Sequence, residues 1–425
     1  MKTLIKNVYA FLPDGTTPLT NILIDRDKIV GVGEVPADFR AAKVIDGKHK
    51  FAVPGFVNAH THASMTLFRS YADDMNLMDW LNNMIWPAEA KMQEEDIYWG
   101  AMLAAVEMIE GGTTTFADMY GPYMEKVAEV AMDSGLRAVL SRGIIGVAPD
   151  GDAKLEENIS LYHNFHGAAN GRITVMFGPH APYTCPPDFL KKVSAAAKKC
   201  GAEVHIHMAE TKAEIEQITK TYGKRPFRYV EDTGLFESGT LAAHCVHLDD
   251  EDIAIIKKHG IRVAHNPGSN MKLASGVAPV PRLLKEGVCV ALGTDGASSN
   301  NNLDMLEEIN LAAMLHKVNT LDPLAVPART ALKMGTEYGA TAVGLKNLGK
   351  IEKGCKADLT LFDMNSAAWY PRNDLASLLV YAAHADAADT VLVDGKVLME
   401  HKELLTLDKE RIFFEAQKCA ERLTK

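Results

Sequence analysis

Between residues 52 and 295 the chain alternates strand-like and helix-like segments eight times, and this repeat restricts the fold more than any other feature of its 425 residues. Short apolar runs fall near 52–60, 112–119, 136–143, 173–180, 203–209, 239–246, 261–266 and 288–295. Helix-like stretches lie between them: Glu94 to Glu110, Met124 to Ser134, Pro187 to Cys200, Thr211 to Tyr222, Asp250 to His259 and Val280 to Glu286. Several stop at a glycine (Gly111, Gly135, Gly201, Gly260, Gly287), the residue that most easily ends a helix. Eight β–α repeats predict the α/β class and a parallel (β/α)8 TIM barrel. The alternative is a doubly wound open sheet, but no G-x-G-x-x-G phosphate loop supports it.

The flanks read differently. Thr3 to Tyr9 alternates, Asn21 to Gly33 carries two strands around a turn at Asp25 to Lys28, and Ala42 to Lys48 follows. These are too few to bury a core. Partners occur far downstream, at Ala357 to Asp363 and Asp389 to Val397. The expectation is one small β-sandwich domain built from both chain ends, residues 1–52 and 349–405, around a catalytic barrel at 53–348 and before a C-terminal helix at 406–425.

A hydrophobic fraction of 47% with 24% charged residues fits a soluble globular chain. The formal net charge of −10 argues against nucleic-acid and anionic-membrane partners, which need clustered Lys and Arg, but not against a small nucleotide-like ligand. Six scattered cysteines without a C-x-x-C spacing suit reduced thiols. The N-terminus lacks the apolar core of a signal peptide, and no run is long enough to span a membrane, so a cytoplasmic location is expected. Oligomeric state stays open, a homo-oligomer included.

In a barrel of this kind the chemistry sits at the C-terminal strand ends. Five of those ends carry histidine and one carries aspartate: His60 and His62 on the first, His180 on the fourth, His207 on the fifth, His244 on the sixth, His265 on the seventh, Asp295 on the eighth. Residues two apart on a strand share a face, so His60 and His62 can grip one ion. His60, His62, His207 and Asp295 are the expected metal ligands. A metal held there brings the pKa of its water to roughly 7. Glu210, three residues past His207, is placed to shuttle the proton, and His244 to stabilise charge from the opposite wall.

The stretch Pro54-Gly-Phe-Val-Asn-Ala-His60-Thr-His62, with His207-Met-Ala-Glu210, Ala243-His244-Cys and Gly293-Thr-Asp295-Gly, resembles the amidohydrolase superfamily in its nucleobase-deaminase branch. The likeness spans nearly the whole chain. It implies the barrel, a divalent ion that is most often Zn²⁺ (Fe²⁺ or Mn²⁺ also fit), and a role for Asp295 in proton transfer. Binuclear members carry a carboxylated Lys at the end of strand four; here Val175 to Pro182 contains none, which implies one metal. Ile85-Trp-Pro-Ala-Glu89, Gly178-Pro-His180-Ala-Pro-Tyr and Asn266-Pro-Gly-Ser-Asn270 are similar to 5′-methylthioadenosine/S-adenosylhomocysteine deaminases. That resemblance implies that Glu89 binds the ribose hydroxyls and that His180, Arg142, Glu210 and Asp295 contact the nucleoside. A second substrate Arg of some members is absent, Lys154 being the nearest basic residue, so a homocysteine carboxylate has less to hold it.

Plainer readings stand beside these. His205 reads as a core histidine and His247 as structural, while His265 reads equally as a substrate contact or a loop partner. Arg142 can serve as an ion-pair partner alone. Met75, Met78, Met84 and Met92 read as apolar filler, and Ala63 to Trp86 as a loop over the site. The alternative activity is a same-fold deaminase or hydrolase acting on guanine, cytosine, a pterin or a triazine. A scaffold without enzymatic activity is disfavoured because all four ligand positions are filled.

Overall fold

The computed structural model describes residues 1–425. Eight parallel strands form a barrel: β1 (Phe56–Thr61), β2 (Thr113–Tyr120), β3 (Arg137–Ile144), β4 in two pieces (Ile173–Val175 and Gly178–Pro179), β5 (Val204–Met208), β6 (Thr240–His244), β7 (Arg262–His265) and β8 (Val290–Leu292). Hydrogen bonding runs β1-β2-β3-β4 and β5-β6-β7-β8. Two seams close the ring. Phe177 bridges Val204 between β4 and β5, and the Asp295 N–H donates to the His60 carbonyl at 2.9 Å between β8 and β1. The break in β4 falls at Met176 and Phe177, where Met176 still donates to the Leu140 carbonyl of β3 at 2.9 Å and Phe177 pairs with β5 instead.

Inside the ring most side chains are small or β-branched, with Met176 and Leu241 the larger members. Val57, Ala59, Ala117, Val139, Ala264 and Ala291 form a core of their own, joined by Ala340 and Ala342 of the helix Glu337–Ala342. The larger core lies between the strands and the outer helices. The helices Glu94–Glu110, Met124–Ser134, Pro187–Cys200 and Asp250–His259 occupy the expected spans. Thr211 instead caps the helix Lys212–Tyr222, its hydroxyl accepting from the Glu214 N–H. Helices Gly151–Phe165 and Met305–Thr320 also surround the barrel.

The segment expected as a loop between Ala63 and Trp86 is largely helical. It holds a 3₁₀ turn at Ala63–Phe68, a turn at Leu77–Trp80, a π-helical turn at Leu81–Ile85 and a short helix at Trp86–Glu89. Every residue of the first turn is buried, so no polar face marks it as helical in the sequence.

Both chain ends enter one nine-stranded sheet, making the small β-sandwich domain beside the barrel. The halves meet where Lys50–Pro54 pairs antiparallel with Leu359–Asp363, Phe51 opposite Phe362. Ile5, Val8, Ile22, Ile24, Leu359 and Leu361 give this domain its own core. Arg137 of β3 ties it to the barrel, 3.0 Å from Asp358 and 2.6 Å from Asp394. The helix Lys409–Thr424 buries Ile412, Ala416, Cys419 and Leu423, one stripe at helical spacing, and its Arg422 pairs with Asp96. No helix is long and apolar enough to cross a membrane.

Candidate metal centre and substrate cavity

The C-terminal strand ends open into a cavity of about 510 Å³. His62, just past the end of β1, and His207 of β5 line it, and His60 of β1 lies fully buried beside them. The ligand nitrogens of these three lie within 4.8 Å of one another, as do the ligand atoms of His60, His244 and Asp295. Their orientation is set from behind. Nδ1 of His62 donates to the Met119 carbonyl at 2.5 Å and Nδ1 of His207 to the His180 carbonyl at 2.7 Å, while Nδ1 of His60 meets Nε2 of His205 at 2.9 Å. Each of the three rings thus turns Nε2 inward. His60 Nε2 is buried with no hydrogen-bond partner. Such a nitrogen beside two more imidazoles and a carboxylate is a donor set for a divalent cation, and the residues fit one.

Electrostatics agree with that fit. Burial brings His60 down to about 4 and His207 well below the ordinary imidazole range, so both are neutral with lone pairs free to bind. Burial opposes ionisation of Asp295 too, but the imidazoles of His60 and His62 beside it outweigh it and hold the carboxyl well below the usual range. Asp295 Oδ1 lies 3.1 Å from His62 Nε2 and 3.5 Å from His60 Nε2, and Oδ2 accepts from the Ser269 hydroxyl at 2.7 Å.

Glu210, just past β5, and His244, the last residue of β6, face this centre, Glu210 Oε2 being 3.8 Å from His244 Nε2. Burial raises the Glu210 carboxyl above its ordinary value. His244 Nδ1 lies 2.9 Å from Asn270 Oδ1. The backbone is left-handed at Ala209 (φ 51°), His244 (φ 71°) and Asp295 (φ 61°), an uncommon conformation for residues with a Cβ, and each of the three stands at the end of a barrel strand or just past it.

Glu89 enters from the helix Trp86–Glu89, half-buried, and accepts a hydrogen bond from the Tyr120 hydroxyl at 2.7 Å. Burial pushes its carboxyl up to about 7. His180 lines the cavity with Nδ1 3.1 Å from Thr184 Oγ1, and burial lowers its ring to about 4. Arg142 both lines the cavity and pairs with Glu157 at 2.6 Å; Lys154, beside it, pairs with Asp150 at 2.8 Å.

Other candidates settle elsewhere. His205 supports His60, and His247 meets the Ser275 carbonyl through Nε2 at 2.7 Å. His265 is buried against His316, their Nε2 atoms 3.1 Å apart, outside the cavity lining. Met92 lines the cavity, whereas Met75 and Met84 pack on the main core and Met78 is exposed. Tyr120 and Asp118 of β2 were not anticipated. Tyr120 reaches the cavity, and burial raises Asp118 to about 7 beside His62. Their strand, Thr113 to Tyr120, reads in sequence only as a buried run.

The profile of the amidohydrolase family matches residues 51–398. This chain belongs to the amidohydrolase family. It is 55% identical over 414 residues to a 5-methylthioadenosine/S-adenosylhomocysteine deaminase of Pelotomaculum thermopropionicum, covering 97% of this chain and 95% of the relative. Among solved structures, the amidohydrolase is similar to an adenosine deaminase from Xanthomonas campestris with bound zinc, with a TM-score of 0.94, 32% identity, and 99% and 98% of the two chains covered. It is also similar to atrazine chlorohydrolase from Arthrobacter aurescens complexed with zinc, with a TM-score of 0.92, 25% identity, and 98% and 100% covered.

Proposed function

We propose that this amidohydrolase deaminates the adenine ring of 5′-methylthioadenosine, S-adenosylhomocysteine and related adenosines, releasing ammonia and the inosine analogue. The observation that carries the reading is a single cavity holding both a hydrolytic centre and, in Glu89, an acceptor for a diol. Its two oxygens suit paired hydroxyls, which a ribose has and a free base lacks. The name of the 55%-identical relative supports the same substrates.

One divalent ion, Zn²⁺ by preference with Fe²⁺ or Mn²⁺ as substitutes, would be held by His60, His62, His207 and Asp295 and would supply a water acidic enough to attack near neutrality. Glu210 takes one water proton as the oxygen bonds to C6 and delivers it to N1. Burial suits it to this, since it raises the carboxyl above its ordinary value and so favours its holding the proton between the two transfers. His244 stabilises the charge that develops on the oxygen. Asp295 then passes the remaining hydroxyl proton to the exocyclic nitrogen, the C6–N bond breaks, and ammonia leaves a carbonyl at C6. Glu89 holds the ribose, with His180 and Arg142 against the rest of the nucleoside. Six unpaired cysteines support a cytoplasmic location.

The test is an ultraviolet assay of zinc-loaded protein against methylthioadenosine, S-adenosylhomocysteine, adenosine and 5′-deoxyadenosine, with guanine, cytosine, a pterin and a triazine beside them. Turnover of the nucleosides, its loss in Glu210→Gln and its loss on chelation of the metal are expected. Turnover of a free base or triazine with silence on every nucleoside overturns the substrate class.

A further inference from the structure

Glu214 lies outside the cavity lining and holds the turn from which Glu210 projects. It occupies the third position of the helix Lys212–Tyr222, where an acidic side chain ordinarily reaches back to the capping residue's N–H. The helix Asp250–His259 does this: Asp252 accepts from the N–H of its cap Asp249 at 3.1 Å. Glu214 reaches further. Its two oxygens pass the cap and accept the N–H groups of Ala209 and Glu210, each at 2.9 Å. Glu214 is only 3% exposed, so water does not substitute for it.

What it grips is the reversal after β5. Ala209 stands at φ 51°, a conformation a residue with a Cβ keeps only when its surroundings impose it. The Ala209 carbonyl accepts in turn from Val246 at 3.0 Å and His247 at 2.9 Å, and Cys245 donates to Met208 at 3.0 Å. That second loop begins at His244 and Cys245, both left-handed. One carboxylate therefore clamps the peptide that aims Glu210 and, through Ala209, the loop that aims His244.

We propose that Glu214 is a positioning residue for the deamination, setting the reach of Glu210 and His244 to the reacting atoms without touching them. The inference rests on Glu210 as the proton shuttle. Glu214→Gln keeps size and shape but turns an N–H₂ against one of two backbone N–H groups, and Glu214→Asp keeps the charge but shortens the reach. Both are compared, as full-length metal-loaded enzyme, with Asp252→Asn.

In Glu214→Gln, kcat for methylthioadenosine per bound metal is expected to fall 10- to 100-fold, with KM within about threefold and metal content unchanged. Glu214→Asp should fall between it and the parent. Asp252→Asn should lose melting temperature and keep its kcat. Unaltered kcat in Glu214→Gln with a lowered melting temperature overturns the proposal, as does failure of this isosteric variant to fold, since either assigns Glu214 to stability alone. Full activity of Glu210→Gln would instead remove the shuttle on which the proposal rests, an outcome separable from an inactive Glu210→Gln beside an unimpaired Glu214→Gln.

Discussion

Replacing Glu89 by Ala removes the proposed acceptor of the ribose diol and little else, because its one protein partner is the Tyr120 hydroxyl at 2.7 Å. A hydrogen bond to a charged group contributes about 1.5–3 kcal/mol, so two to the diol span about 3–6 kcal/mol. The lower end applies here. Tyr120 already occupies part of one carboxylate oxygen, and water can enter the space the side chain leaves. A loss of about 3 kcal/mol is roughly a 10²-fold fall in kcat/KM. The assay follows the adenine band at pH 8, where a carboxyl pushed up to about 7 by burial is mostly ionised. Adenosine is compared with 2′,3′-dideoxyadenosine. The parent enzyme should favour adenosine by about the same 10²-fold, and Glu89→Ala should erase the preference. Equal losses on both substrates, or a loss below threefold on adenosine, would refute the diol assignment.

The same carboxyl predicts a pH dependence. Its pKa is raised, so the ionised acceptor appears as pH climbs; kcat/KM for ribonucleosides should rise to a plateau through a limb at or below about 7, a bound cation moving it down, and the dideoxy substrate should lack this limb. At the rim, Glu157 competes with any substrate carboxylate for Arg142. Its side chain is 53% exposed, so the pair contributes under about 1 kcal/mol, and Glu157→Gln should raise S-adenosylhomocysteine turnover relative to methylthioadenosine about threefold. Where the barrel meets the small domain, Arg137→Ala leaves Asp358, whose side chain is 1% exposed, without its charge partner. Denaturant unfolding should show a loss of about 3–5 kcal/mol, with kcat per folded enzyme unchanged.

Strand periodicity made the barrel readable, because each apolar run is short, buried and bounded by turns. The spacing of His60 and His62 needed only the two-residue repeat of a strand to bring both rings to one side. The same repeat put His205 below His207, where it meets His60. The helix Gly151–Phe165 was hidden because Pro149-Asp150-Gly151 signals a turn and its helix begins on that glycine. Ala63 to Trp86 was hidden because its first turn is buried on every side and so presents no polar face. Tyr120 and Glu214 were illegible for a third reason. An aromatic at the end of a buried strand and an acid in a helix's first turn are ordinary in sequence, and only the fold shows that one meets Glu89 and the other overshoots its cap. Arg142 satisfied both of its readings at once, lining the cavity while paired to Glu157.

The seam between Lys50–Pro54 and Leu359–Asp363 joins strands about 300 residues apart. During synthesis at about 5–20 residues per second, the N-terminal part of the small domain, ending in the strand Lys50–Pro54, waits on the order of 15–60 s for that partner to emerge. Its exposed edge is an invitation to pair with another nascent chain throughout that interval. Until Asp389 emerges to pair with it, Lys50 at the head of that strand keeps a charge on the waiting edge, the kind of residue that discourages such mispairing.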